Sequence, residues 1–194
     1  GPMPSTFVYD GFQASYARKI RLRQRYRLRY AKLNGQSRDT VRPTLVIFDD
    51  CLADSAFSRD KEVRTLAMNG RHYKVFVWAN LQYLIGFPPA VRSQVDYVFL
   101  FYDASRNNLK QVYLNWFSMV PTFEQFLRIV EEICQPYTCL VLDNTSSARD
   151  CSNLYWYRAR YPLPRFRFGN KAFWEYHYRH RRTRDQELAE LERD

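Results

Sequence analysis

The chain has 194 residues and a net charge of +10, with 30 Lys and Arg against 20 Asp and Glu. Hydrophobic residues make up 46%, enough to build the core of one ordinary domain, which excludes wholesale disorder. No apolar run approaches the ~20 residues of a membrane-spanning helix, and no signal peptide is recognisable.

Most of the cations are Arg, whose planar guanidinium suits phosphate contacts and base stacking. The charge therefore predicts a polyanionic partner such as nucleic acid, with an Arg-biased genome composition as the alternative. The four Cys form no CxxC pair, which favours buried thiols over a metal site.

The elements begin with a short β-prone run at Phe7–Tyr9. The segment Gln13–Leu33 lacks acids, Gly and Pro and is predicted to be a helix that stops at Asn34-Gly35. Its residues Arg21–Tyr30 also alternate basic and non-basic at period two, as a strand would. Further along, the predicted elements are a strand at Thr44–Phe48, a Ser-capped helix at Ser58–Met68, strands at Val75–Trp78 and Val95–Tyr102 separated by a helical turn at Pro88–Arg92, helices at Leu109–Phe117 and Thr122–Ile133, a strand at Thr138–Leu142, an extended segment at Leu154–Phe168 and a helix from Lys171.

This alternation of helices and strands predicts an α/β fold with a mainly parallel sheet and flanking helices. The continuous apolar runs, such as Thr44–Phe48, are typical of strands that are buried on both faces.

The segment Leu45–Asp50 reads LVIFDD, a Walker B pattern of four apolar residues and two acids. A parallel strand delivers such acids to the carboxyl edge of its sheet, where ligands bind. There Asp49 can hold the water shell of Mg²⁺ and Asp50 can orient an attacking water. The alternative is an apolar strand that ends in structural acids.

Two later segments fit the same chemistry. The strand at Val75–Trp78 runs into Asn80 and Gln82, which is where a polar sensor would lie beside a γ-phosphate. A proline turn then presents Arg92, which can stabilise charge on a transferring phosphoryl group.

The order of these segments resembles the DNA-packaging ATPases of nucleocytoplasmic large DNA viruses (poxvirus and iridovirus type), which are P-loop ATPases of the additional-strand class in the FtsK–HerA superfamily. The resemblance covers about residues 7–145 and rests on the following segments: FVYDGF at 7–12, the basic helix with Gln24, TLVIFDD at 44–50, HYKVFVWANLQY at 72–83 and PPAVRSQVDYVFLF at 88–101.

The resemblance implies roles for four residues: Asp49 on the Mg²⁺ side, Asp50 as catalytic acid, Gln82 as sensor and Arg92 as an arginine finger from a neighbouring subunit. It also implies ATP and Mg²⁺ as cofactors, a homo-oligomeric ring, double-stranded DNA as substrate and capsid proteins as further partners. The expected location is the virus factory of the infected cell and the virion.

The chain departs from this family in one respect. None of its six Gly residues belongs to a GxxxxGK[ST] phosphate-binding loop, so we expect the first strand and P-loop to be absent and the isolated chain to be inactive. The expected organisation is a tag remnant at 1–2, a partial ATPase core at 3–168 and a helical tail at 169–194.

The predicted DNA contacts lie on the basic helix and near the carboxyl terminus: Arg18, Lys19, Arg21, Arg23, Arg25, Arg27, Arg29, Arg179, Arg181 and Arg182. The segment from Trp156 to Arg167 fits either a stacking surface or a core edge. His177 and His180 fit a solvated helix face better than a metal site.

Two other functions remain open from sequence alone. One is a non-catalytic basic DNA-binding module in which Asp49 and Asp50 are structural, and the other is a metal-dependent nuclease.

If the first strand, expected beside Val75–Trp78, is absent, the edge of Val75–Trp78 and the apolar surface next to it would be exposed. We therefore expect either a dimer through this edge or direct pairing of Tyr97–Phe101 with Val75–Trp78.

Overall fold

The computed structural model describes residues 3–51, 57, 59–83, 88–146 and 150–181. The chain forms two compact units: Phe12–Ala159 is the larger, and the described residues of 1–11 and 160–194 form the smaller. The predicted domain bounds stay a prediction.

The larger unit opens with the predicted basic helix, α1, at Ala14–Leu33. Gly35 ends it in a left-handed conformation with φ of 64°, which a residue without Cβ adopts at no cost. The amides of Gly35 and Gln36 donate to the carbonyls of Lys32 and Ala31 in a Schellman motif. The helical period therefore prevails over the period-two alternation of its charges.

The first sheet is a parallel pair of strands, β1 (Thr44–Asp49) and β2 (Val75–Asn80). The helix α2 (Lys61–Asn69) connects them. Its N-cap is Asp60, whose carboxylate accepts hydrogen bonds from the amides of Glu62 and Val63. The predicted cap, Ser58, lies outside the described residues.

The second sheet is antiparallel, in the order β3 (Tyr97–Leu100), β4 (Thr138–Asp143) and β5 (Leu154–Arg158). Before β3 lies the short helix α3 (Pro89–Arg92). Between β3 and β4 come α4 (Arg106–Val112), a π-helical continuation at Tyr113–Phe117, and α5 (Phe123–Ile133). The expected pairing of Tyr97–Phe101 with Val75–Trp78 is wrong, because β3 pairs with β4 and β2 pairs with β1.

The core lies between the helices and one face of the strands. Leu66 of α2, Phe126 of α5 and Leu142 of β4 are fully buried within it. The α/β class with a parallel sheet and flanking helices is thus confirmed.

The opposite face of the parallel pair is exposed, contrary to the expectation of strands buried on both faces. Leu45 and Ile47 of β1 share this face with Phe76 and Trp78 of β2, which are 64% and 42% exposed. Trp78 also stacks against Phe99 of β3, with ring centroids 5.1 Å apart.

The smaller unit pairs a 3₁₀ turn at Ser5–Phe7 with the helix α6 (Lys171–His180). Phe7 stacks on Phe173 at 3.7 Å, and the hydroxyl of Thr6 lies 2.6 Å from Nδ1 of His177. His177 is buried, so its predicted place on a solvated face is wrong. The β-prone run at Phe7–Tyr9 forms no strand.

Candidate functional site

The carboxyl ends of β1 and β2 bring an acid and an amide together. Asp49 and Asn80 are register partners, and Nδ2 of Asn80 donates to Oδ1 of Asp49 at 2.9 Å. The indole of Trp78 donates to Oδ1 of Asn80 at 2.6 Å. Because that bond occupies the amide oxygen, it turns the amide nitrogen toward Asp49.

A second acid–amide pair follows one step beyond the strands. Nε2 of Gln82 donates to Oδ2 of Asp50 at 2.9 Å. The backbone of Asp50 is left-handed, with φ of 49°, a conformation that Asp tolerates better than most residues. The structure thus brings together the predicted residues Asp49, Asp50 and Gln82, all of them exposed.

The carboxyl end of β3 adds two residues that the sequence reasoning missed. Asn108 of α4 donates through Nδ2 to the backbone carbonyl of Gln82 at 3.1 Å and also to the carboxylate of Asp103. Asp103 comes after the apolar strand β3, just as Asp49 ends the apolar strand β1. A polar residue directly after an apolar strand was therefore the sequence signal that could have identified Asp103. Asn80, which the sequence analysis places with Gln82 at the expected sensor position, lies opposite Asp49 in the parallel pair.

The acid pair fits Mg²⁺. This ion favours one or two carboxylates together with several waters and substrate phosphates. Asp49 and Asp50 are adjacent, exposed carboxylates. One oxygen of each accepts a hydrogen bond from a side-chain amide, Asn80 for Asp49 and Gln82 for Asp50. Around them, the described part of the chain holds no group of three His, Cys, Asp or Glu side chains arranged as a metal site.

Arg92 lies away from this cluster. It lines a cavity of about 660 Å³ together with Arg71, Asp96 and Asn144. Arg71 precedes β2, Asp96 precedes β3, and the two form an ion pair at 3.1 Å. The cavity is therefore at the amino ends of these strands, whereas Asp49 and Asn80 lie at the carboxyl ends of β1 and β2. A six-residue strand such as β2 is about 16 Å long.

The side chain of Arg92 is partly buried. Its backbone carbonyl accepts a hydrogen bond from the indole of Trp116 at 3.2 Å, and its Nε is buried without a hydrogen-bond partner. Within one chain, Arg92 is not brought into contact with Asp50 by any described interaction.

The basic helix α1 has an inner and an outer side. Ala17, Gln24 and Ala31 are buried, and Nε2 of Gln24 donates to the carbonyls of Arg42, Tyr73 and Lys74. Six of the seven predicted DNA contacts on this helix are exposed: Arg18, Lys19, Arg23, Arg25, Arg27 and Arg29.

Arg21 is the exception on α1, because it forms a two-pronged ion pair with Glu62 of α2 at 2.7 and 2.9 Å. Both side chains are less than one-fifth exposed. The hydrogen bond from Arg21 holds the pKa of the Glu62 carboxyl below its ordinary value of 4.5. Arg21 thus binds α1 to α2.

Other predicted contacts lie elsewhere on the surface. Arg179 and Arg181 are exposed on the smaller unit, while Arg182 lies outside the described residues. Tyr155, Trp156 and Tyr157 are each more than half exposed on β5, which pairs with β4 along one edge. This exposure disagrees with the core-edge interpretation of that segment.

Burial raises the pKa of the Cys134 and Cys139 thiols. Both Cys residues are free and buried, as predicted, whereas Cys151 is exposed. None of the described helices is long and apolar enough to cross a membrane.

No family model matches the chain. It is 33% identical over 178 residues to the uncharacterized protein 015R of Frog virus 3 (isolate Goorha), which covers 91% of this chain and 53% of that protein. It is 34% identical over 158 residues to the uncharacterized protein 075L of Invertebrate iridescent virus 6, covering 81% of this chain and 57% of that protein. Both relatives come from nucleocytoplasmic large DNA viruses. The chain therefore spans little more than half the length of these curated relatives.

Among solved structures, the genome packaging NTPase B204 from Sulfolobus turreted icosahedral virus 2, in complex with AMP, is similar with a TM-score of 0.52. The two are 15% identical, and the match covers 78% of this chain and 65% of that one. At this identity the similarity shows the fold, and it agrees with the predicted P-loop-type α/β architecture.

Proposed function

We propose that the chain is part of a viral genome-packaging ATPase that couples ATP hydrolysis to movement of double-stranded DNA into a capsid. The observation that carries this proposal is the meeting of two acids with two amides at the carboxyl ends of adjacent parallel strands. The fold shared with a genome packaging NTPase and the relatives in large DNA viruses support it.

In this proposal Asp49 holds Mg²⁺ through water, and the ion would neutralise charge on the nucleotide phosphates. Asp50 accepts a proton from the attacking water, and Gln82 fixes the orientation of the Asp50 carboxylate through their 2.9 Å hydrogen bond. Asn80 holds Asp49 in the same way. Sequence outside this chain would supply the phosphate-binding loop.

Arg92 would act on the site of a neighbouring subunit in a ring. Its cavity lies about one strand length from Asp50, so Arg92 would reach an active site only in an adjacent copy.

The test is DNA-stimulated ATP hydrolysis by the intact gene product. Asp50→Asn is expected to lower kcat by about 10²-fold or more, as loss of a general base does, while nucleotide binding persists. Asp39→Asn is the matched control, because that exposed carboxylate binds Lys74 away from the cluster. Unchanged turnover in Asp50→Asn would remove the catalytic role.

Mixing two inactive variants tests the position of the arginine. Subunits with Asp50→Asn and subunits with Arg92→Ala should regain activity when mixed in one ring, since some interfaces then combine an intact acid with an intact arginine. If Arg92 acts within its own chain, every site lacks one group and mixing restores nothing.

The non-catalytic DNA-binding module remains the second candidate, because the exposed cations of α1 require no nucleotide. It predicts full DNA affinity in an intact gene product that hydrolyses no ATP.

A further inference from the structure

The outer side of α1 carries a row of exposed apolar side chains. Leu22, Tyr26, Tyr30 and Leu33 follow one another at intervals of four, four and three residues, which places them in one line along a helix. Their exposed fractions are 43%, 68%, 55% and 76%. The two tyrosine rings are stacked, with centroids 6.3 Å apart and planes inclined by 30°. We call these four residues the tyrosine row.

Cations flank the row on both sides. At about 100° per residue, one flank contains Arg18, Arg25 and Arg29, and the other contains Arg23 and Arg27. Helix α1 contains no acid. Glu62 of α2, the acid that contacts the helix, is bound to Arg21 on its inner side. The face is therefore an aromatic strip between two rows of positive charge.

This pattern points to a ligand with alternating anionic and planar apolar parts. The phosphates of a duplex need only cations as partners. An apolar strip between two rows of cations would make no contact that a duplex backbone can use. Unpaired bases present π-faces that stack on aromatic side chains, while their phosphates reach flanking arginines. An acidic helix from another protein fits the charge but makes no use of two stacked rings.

We propose that the tyrosine row binds unpaired bases of nucleic acid by stacking on Tyr26 and Tyr30, with the phosphates held by the flanking arginines. This inference rests on the proposed function and deepens it. It names single-stranded segments or frayed ends of the DNA, and not only duplex, as the ligand of this helix. It also gives the row's exposed aromatic surface a ligand.

The experiment measures binding of the full chain to a fluorescent oligothymidylate and to a blunt duplex of equal length over a range of salt concentrations. Tyr26→Ala and Tyr30→Ala should each weaken single-strand binding about fivefold or more, with the salt slope unchanged. Duplex affinity should change less than twofold. Tyr26→Phe and Tyr30→Phe should bind like the original, since they keep the ring.

A matched control is Tyr137→Asn, which removes a 72% exposed ring from another surface. Asn is chosen because Tyr137 has φ of 65°, which Asn tolerates. This variant should bind both ligands normally.

The outcomes separate this inference from the proposed function. If Arg25→Gln and Arg29→Gln reduce the slope of DNA affinity against salt while the tyrosine variants bind single strand normally, the stacking role is overturned and the DNA contact stands. Equal losses on single strand and duplex would also overturn it. Absence of DNA binding at low salt would remove the proposed DNA contact itself. A change in solution mass in Tyr26→Ala, at constant DNA affinity, would assign the row to a protein contact instead.

Discussion

Gln24 offers the sharpest test of how the basic helix is held on the strands. The side chain is fully buried, and its Nε2 lies 3.1, 3.3 and 3.2 Å from the carbonyls of Arg42, Tyr73 and Lys74. These acceptors precede β1 and β2, so one amide links α1 to the amino ends of both strands. The three carbonyls also fix the amide orientation, because a flipped oxygen would face three acceptors.

We expect Gln24→Leu to lower the free energy of unfolding by about 2–4 kcal/mol. Leucine keeps the volume but leaves the carbonyls of Arg42 and Tyr73 without this donor, at roughly 1–3 kcal/mol for each unsatisfied group. The carbonyl of Lys74 still accepts from the amide of Thr44. Oε1 of Gln24 has no partner, so its removal costs nothing in hydrogen bonding.

Urea unfolding followed by tryptophan fluorescence measures the change, and the midpoint should fall by about 1–2 M at an ordinary slope. The matched control is Gln125→Leu on the exposed surface of α5, where we expect a change within about 0.5 kcal/mol. If Gln24→Leu shifts the midpoint no more than the control does, the three hydrogen bonds do not hold the helix.

Three other predictions concern single properties. Glu62→Gln should lower the free energy of unfolding by about 1–3 kcal/mol at pH 7. Because Arg21 lowers the pKa of Glu62, the stabilisation from the carboxylate is present above pH 4.5 and is lost as the pH falls through the folded-state pKa. The urea midpoints of Glu62→Gln and of the original protein should therefore converge in acid. Arg25→Gln should reduce the slope of duplex affinity against salt by about 0.9, whereas Arg21→Gln should reduce it less because Arg21 is bound to Glu62; equal slopes for both would contradict the division of α1 into two sides. The isolated 194-residue chain should hydrolyse no ATP above background, and Mg²⁺-dependent turnover that Asp50→Asn abolishes would refute the need for a separate phosphate-binding loop.

Local sequence signals predicted most elements of the larger unit. The Asn34-Gly35 stop ends α1 where expected, and α5 begins at Phe123, one residue after its predicted start, because Thr122 is its N-cap. The pairing of Asp49 with Asn80 follows from parallel strands of equal length. The antiparallel direction of β4 and β5 could not be derived, because strand direction depends on contacts between distant segments.

The candidate site was predictable in part for the same reason. Asp50 and Gln82 were found because each follows an apolar strand. Asp103 also follows an apolar strand, β3, but no second acid stands next to it in the sequence as Asp50 stands next to Asp49. The internal role of Arg21 was hidden, because nothing local distinguishes it from the exposed arginines on either side; it depends on α2 packing against the helix at Glu62.

The exposed face of the parallel pair leads to the last prediction, self-association through β2. Among the described residues, β2 has a strand partner along one edge, and its outward side chains Phe76 and Trp78 are 64% and 42% exposed. The nearby cations do not protect this edge, since Lys74 binds Asp39 and Arg71 binds Asp96.

An open strand edge beside an apolar face favours pairing with a second chain, so we expect a dimer of the isolated chain in light scattering. Phe76→Lys should shift the mass to that of a monomer, because two added charges would face each other across the paired edge. Leu114→Lys is the matched control, since that side chain is also exposed, at 56%, but lies in the π-helical turn away from β2. A chain that stays monomeric at high concentration, or a dimer that Phe76→Lys leaves intact, would show that this edge makes no such contact.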